Sequence, residues 1–158
     1  MYWQEETPQD APVIANDVVD IAFRIDCRAL PLDHAHALSQ ALHAELPWFM
    51  QEEAAGLHLI HGAASGNGWM RPEDPDTEFL HLSRRTRLTL RLPARRVEEA
   101  QALTGKTLDI NGHPLRIEKG IPRPLMPAET LFSRHVLAGE ADNEALFLED
   151  VATQLRAT

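Results

Sequence analysis

The sequence is poor in the residues that staple small proteins together and in those that span membranes. One cysteine, Cys27, among 158 residues leaves no internal disulfide and no cysteine-rich zinc site, and it fits a reducing cytoplasm. No run approaches the ~20 apolar residues that a membrane helix needs. The opening MYWQEETPQD is acidic and polar, unlike a secretory signal. A membrane protein, a secreted mini-protein and a zinc finger are therefore not expected. The basic complement is also lopsided, since Lys106 and Lys119 are the only lysines.

What is present fits one globular domain, or one and a fraction. Apolar residues make up 44% and charged residues 25%. A chain of this length buries roughly 70% of its unfolded surface, enough for a core without staples. The net charge of −9 argues at first against a nucleic-acid partner, but the charges segregate. Residues 1–20 carry five acids and no base, and residues 138–158 carry five more against Arg156. Between Phe79 and Val97 there is no acid, while Arg84, Arg85, Arg87, Arg91, Arg95 and Arg96 all fall there. Guanidinium groups bind phosphate bidentately and stack on bases, so a cationic face on an acidic body is compatible with RNA. A charged strand edge that resists aggregation would show the same pattern.

Periodicity divides the chain. Residues 1–17, with Pro8 and Pro12, read as a flexible arm. Val19, Ile21, Phe23 and Ile25 alternate with polar residues and predict a strand. Pro31 and Asp33 announce a helix with Asp33 as N-cap, Ala35, Leu38 and Leu42 as its stripe, and Pro47 as its stop. A short strand is expected at 57–61, then a long Gly-, Pro- and acid-rich loop at 62–78. Leu80, Leu82, Leu88, Leu90 and Leu92 predict one long or interrupted strand, and Pro93 to Leu103 a helix. Asn111-Gly112 marks a hairpin between 107–110 and 115–117. The order β-α-β-β-α-β predicts an α+β, ferredoxin-like domain over residues 18–121. Residues 122–158 then read as a proline-marked linker and the start (β-α) of a second ferredoxin-like unit. Its strand is expected at 131–137, and its helix is capped by Asp142 with a stripe of Leu148, Val151 and Leu155. The alternative is that this pair caps the first sheet.

The chemistry narrows by exclusion. His58 and His61 would point to opposite faces of a strand, and His36 and His43 lie two helical turns apart. No HExxH, cysteine pair or Asp-rich loop is present, so no dedicated metal site is expected. There is no GxSxG elbow, Cys27 has no base beside it, and Gly66-Asn67-Gly68 lacks a Walker lysine. Too few aromatics lie near the strands for base stacking on an open sheet. There remain an arginine-rich segment, a loop containing Trp69 and Arg71, and His34 and His36 in the first helical turn. The positive end of a helix biases histidine toward the neutral form that a general base needs, although a partly exposed histidine with no task gives the same pattern. These parts suit metal-free phosphodiester chemistry on RNA, in which a 2′-hydroxyl attacks the adjacent phosphate.

Several segments together resemble one family. They are Asp17-Val-Val-Asp20, Leu30-Pro-Leu-Asp-His34, Leu46-Pro-Trp48, Ser65-Gly-Asn-Gly-Trp-Met-Arg-Pro72, Leu82-Ser-Arg-Arg-Thr-Arg-Leu88, Leu90-Arg-Leu-Pro93 and Gly105-Lys-Thr-Leu108. In order and spacing they resemble a short subtype of the CRISPR repeat-RNA-processing endoribonucleases, within the repeat-associated RNA-binding superfamily. The resemblance implies metal-independent cutting of precursor CRISPR RNA within its repeats, no cofactor, and two ferredoxin-like halves. It places the general base at His34, with His36 and His43 as fallbacks, and phosphate contacts at Arg84, Arg85 and Arg87. Arg91, Trp69 and Arg71 complete the expected RNA surface. The family's glycine-rich loop near the end of the second half has no counterpart here. A truncated, non-catalytic relative that binds RNA or docks on a CRISPR effector complex is therefore the alternative. A third reading is an acidic domain that dimerises through an exposed strand edge.

Overall fold

The computed structural model describes residues 17–61, 79–126 and 143–157. The chain divides into two compact units, Met1–Pro127 and Ala128–Thr158. The first unit holds a five-stranded antiparallel sheet of β1 (Val18–Asp26), β3 (Gly56–Leu57), β5 (Arg87–Pro93), β6 (Thr107–Ile110) and β7 (His113–Pro124). The strand order is β3-β5-β1-β7-β6. Without β6, this is the order of a ferredoxin-like βαββαβ unit, with α1 (Ala35–Glu45) and the short α2 (Val97–Ala100) as its helices. A separate two-stranded sheet pairs β2 (Ala29–Pro31) with β4 (Phe79–His81).

The alternation read from the sequence builds the core. Ile21 and Phe23 of β1 and Leu88, Leu90 and Leu92 of β5 are fully buried. They meet Leu38, Leu42 and Leu46 of the α1 segment, Ala100 and Leu103 beyond it in the chain, and Leu115 and Ile117 of β7. One face of the sheet is thus covered by helices, and register is fixed because a one-residue slip would turn charges inward. The β6–β7 hairpin turns where Asn111-Gly112 predicts, with φ of 52° and 83°. Both central residues are left-handed, as a type I′ turn demands, and Asp109 Oδ1 accepts the Gly112 N–H at 2.7 Å.

The structure departs from the sequence reading at five places. The Leu80–Leu92 stretch is two strands in different sheets, broken at Ser83–Thr86. There the Ser83 N–H donates to Thr86 Oγ1 (3.2 Å) and the Arg85 N–H to Ser83 Oγ (3.2 Å). Short hydroxyl side chains offer the backbone these bonds in place of a ladder, so Arg84 and Arg85 lie in a turn, not on a strand. The strand expected at 57–61 is only Gly56–Leu57, followed by one further bond from His58 N–H to Thr89 O. The N-cap of α1 is His34, not Asp33, and makes no side-chain capping bond.

β7 continues past Ile117 to Pro124, through Pro122. Proline is tolerated there because β6 pairs only with the first part of β7, and among the described residues no strand pairs the outer edge of the far half, which therefore needs no ladder donor. Gln101 closes part of that edge, its amide accepting from Gly120 N–H (3.4 Å) and donating to Gly120 O (2.7 Å). In the second unit, α3 (Glu144–Ala157) is capped by Asn143, whose Oδ1 accepts from Leu146 N–H at 3.1 Å. The expected cap, Asp142, and the strand expected at 131–137 lie outside the described residues, as do the arm at 1–16 and the loop at 62–78. Leu148, expected on a buried stripe, is exposed. Among the described residues no helix is long and apolar enough to cross a membrane.

Gly120 lies under the Phe23 ring. A Cβ there would stand 2.7 Å from Phe23 Cδ1 and Cε1 and 2.9 Å from Ile21 Cγ1. Gly120→Ala should therefore cost about 1–3 kcal/mol through overpacking. The expected readout is a lower urea midpoint at an unchanged m-value. An unshifted midpoint would mean that Phe23 moves aside freely.

Candidate active site at one end of the sheet

Antiparallel pairing brings distant residues to one end of the first unit. β1 finishes at Asp26, opposite Arg116 near the start of β7, and Arg24 lies opposite Arg87 at the start of β5. β2 then pairs Pro31 with Phe79, whose ring lies 5.2 Å from that of His113. α1 begins three residues beyond β2, so His34 belongs to this same end.

His34 is 5% exposed. Its Nδ1–H donates to the Pro31 carbonyl (3.0 Å) and lies 3.2 Å from that of Leu32. Carbonyls only accept, so the proton sits on Nδ1 and the lone pair on Nε2. Nε2 is shielded from solvent and has no hydrogen-bond partner among the described residues. Burial, the largest influence, lowers the His34 pKa; the two carbonyls and Asp33 oppose this, and a protonated His61 reinforces it. Burial thus favours the neutral imidazole, with Nε2 an unsatisfied acceptor among the described residues, and such a buried group calls for a reason. His36 lies about 200° further round the helix and is exposed, as is His43, so the fold does not bring His36 to His34. Cys27 donates from Sγ to Ala29 O (3.3 Å), and burial raises its pKa, which suits a thiol rather than a nucleophile.

The arginines are sorted by this register. Arg84 and Arg85 are exposed in the Ser83–Thr86 turn and make no ion pair among the described residues. Arg87 folds back, donating from Nη1 to Arg84 O (2.9 Å) and Thr86 O (2.8 Å). Arg91 is occupied by a two-pronged bond to Asp20 at 2.9 and 3.0 Å. Burial would raise the Asp20 pKa, but the bonds and charge of Arg91, with those of His58 at 3.6 Å, outweigh it and hold the carboxyl below its usual range. Arg95 and Arg96 lie beyond the far end of β5 on Glu52, and Arg96 also pairs with Glu99 and lies 4.9 Å over Trp48. The expected cationic segment is therefore divided, with Arg84, Arg85 and Arg87 left at the His34 end. Trp69 and Arg71 lie outside the described residues.

Sequence reasoning missed Arg24, Arg28 and Arg116, which the fold adds to this end. Arg24 pairs with Glu118 at 3.3 Å where a bulge interrupts the β1–β7 register. Arg28 O accepts the Leu82 N–H at 3.0 Å, tying its backbone to the start of the arginine turn. The signal for Arg116 was its place between Leu115 and Ile117, an outward position on a strand already predicted. Among the described residues, no three His, Cys, Asp or Glu side chains converge as a metal-binding group.

A family model described as Cas6 Crispr matches residues 19–158. The chain belongs to the Cas6 family. It is also 30% identical over 139 residues to a CRISPR-associated endonuclease Cas6 of Myxococcus xanthus (strain DK1622). That alignment covers 88% of this chain and 56% of the relative, so the chain spans little more than half the length of this Cas6.

The His34 environment predicts a pH dependence. With its folded pKa depressed below the ordinary 6.5, the unfolded chain binds a proton that the native state refuses. Stability from this residue is complete above about pH 6.5 and is lost as the pH falls toward the folded value. His34→Gln should flatten that part of the stability curve. An NMR titration midpoint for His34 at or above 6.5 would contradict the burial account.

Proposed function

We propose that this chain is an endoribonuclease that cuts precursor CRISPR RNA within its repeats, with His34 as general base and Arg84, Arg85 and Arg87 as phosphate contacts. The His34 Nε2 takes the proton of a ribose 2′-hydroxyl, and the 2′-oxygen forms a bond to the adjacent phosphorus. The bond to the 5′-oxygen breaks, leaving a 2′,3′-cyclic phosphate, and the departing oxygen is protonated by the imidazolium or by water. Guanidinium groups offset the charge that builds on the phosphorane. The scheme needs no metal and excludes DNA, which lacks the nucleophile. Within this reading, the chain beyond β7 leads into the start of a second ferredoxin-like unit.

The observation that carries the proposal is the buried His34, held through Nδ1 by the Pro31 carbonyl and without a partner at Nε2 among the described residues, at the sheet end where Arg84 and Arg85 make no ion pair among the described residues. Membership of the Cas6 family supplies the repeat RNA as substrate. Because Nε2 is shielded, a 2′-hydroxyl reaches it only after that cover is displaced. The same shielding favours a second reading, in which the chain binds repeat RNA as a non-catalytic subunit of a CRISPR complex.

A gel assay with repeat RNA separates the two, since binding without products supports the subunit reading. For the enzyme, a 2′-deoxy substitution at the scissile nucleotide should block cutting, and EDTA should not. His34→Ala should lower the single-turnover rate by at least about a hundredfold with little loss of affinity. The acid limb of the wild-type profile should fall below pH 6.5, because only the neutral imidazole accepts the proton. Normal cleavage of the deoxy substrate, or loss of binding in His34→Ala, would remove His34 from this role.

A further inference from the structure

An open cleft of about 470 Å3 lies between the β1–β2 corner and the start of the β6–β7 hairpin. The cleavage scheme above gives it no task. Its lining includes Arg28, Arg116, His113, Thr107, Cys27 and Asp26. Arg28 and Arg116 are exposed and make no ion pair among the described residues. Asp26 is the one carboxylate of the lining; it faces Arg116 across the ladder without closing a salt bridge. Two guanidiniums against one carboxylate leave a local positive charge on a chain whose net charge is −9.

Beside these charges stands a pair of aromatic rings. His113 lies against Phe79 with ring centroids 5.2 Å apart and planes at 47°. Phe79 remains 42% exposed although it sits at a strand start next to the core. Guanidiniums that find no carboxylate, set beside an exposed aromatic ring, match what single-stranded nucleic acid asks of a protein. The phosphate takes the charge, and the base takes the ring. An acidic peptide would use the first and leave the second unused.

The geometry points to this cleft as the seat of one nucleotide of a single-stranded RNA. Its phosphate lies between Arg28 and Arg116, and its base lies against the Phe79–His113 pair. The inference rests on the proposal that the chain binds RNA, and it adds a contact independent of the Arg84–Arg85 turn. Sequence reasoning set base stacking aside for lack of aromatics on the open sheet. This platform lies instead at the sheet end, where β4 of the small sheet meets the hairpin.

Fluorescence anisotropy with the labelled CRISPR repeat RNA of the source genome, across a salt series, tests the seat. R28Q/R116Q should weaken binding about tenfold at low salt and flatten the slope of log K against log salt by about 0.7 for the phosphate lost. R28K/R116K should restore the slope. F79A should weaken binding about tenfold with the slope unchanged, because stacking releases no counterions. Wild-type binding and cutting with R28Q/R116Q equally tight would overturn the seat and leave the proposed function standing. A neutral F79A beside a weakened R28Q/R116Q would overturn the nucleotide in favour of a simple anion. Failure of the wild type to bind repeat RNA would remove both.

Discussion

β1 is hydrogen-bonded on both sides, and its register with β5 and β7 is the constraint from which the rest follows. Its inward residues, Ile21 and Phe23, anchor the core, so its outward residues have no freedom to choose their neighbours. Asp20 meets Arg91 on one side and Arg123 on the other, Arg24 meets Arg87, and Asp26 meets Arg116. Like charges directly opposite each other are unfavourable in a sheet. The bulge that brings Glu118 to Arg24 relieves one such pair. The cationic end of the sheet is thus a consequence of burying the other face.

The same register separates arginines paired with carboxylates from arginines left without one among the described residues. Arg91, Arg95 and Arg96 are satisfied by Asp20 and Glu52, from segments distant in the chain, and Arg96 also by Glu99 one helical turn on. Arg28, Arg84, Arg85 and Arg116 have no such partners among the described residues. Net charge is a poor guide because it counts both groups alike, although only the first is neutralised locally. His34 shows a comparable division within one ring, with Nδ1 spent on backbone carbonyls and Nε2 left without a partner among the described residues.

Where a pattern is local and repeats with the period of its element, it could be read directly. The alternation of β1 and β5, the α1 stripe of Leu38 and Leu42, and the Asn111-Gly112 hairpin are of this kind. So was the helical segment after Pro93, although it forms as a short α-helix flanked by 3-10 turns. The Ser83–Thr86 turn was hidden because hydroxyl-to-backbone bonds leave no periodic trace. The prolines of β7 read as a linker because a free edge is a property of the whole sheet. His34 was legible as a residue but not as a tautomer, which depends on the Pro31 carbonyl at the end of β2 and that of Leu32 just beyond it. That Arg28 and Arg116 come together depends on the pairing of Asp26 with Arg116, about ninety residues apart, beyond any local window.

The Gln101 amide has a consequence of its own. An uncovered strand margin invites identical molecules to join it, and such joining can continue without limit. Here one side chain occupies both main-chain groups of Gly120, while Pro122 and Pro124 offer no N–H on either side of Arg123. The stretch of β7 that β6 leaves bare is thereby a poor template for stacking. Copies of this chain therefore gain little from joining along that margin, even at high concentration.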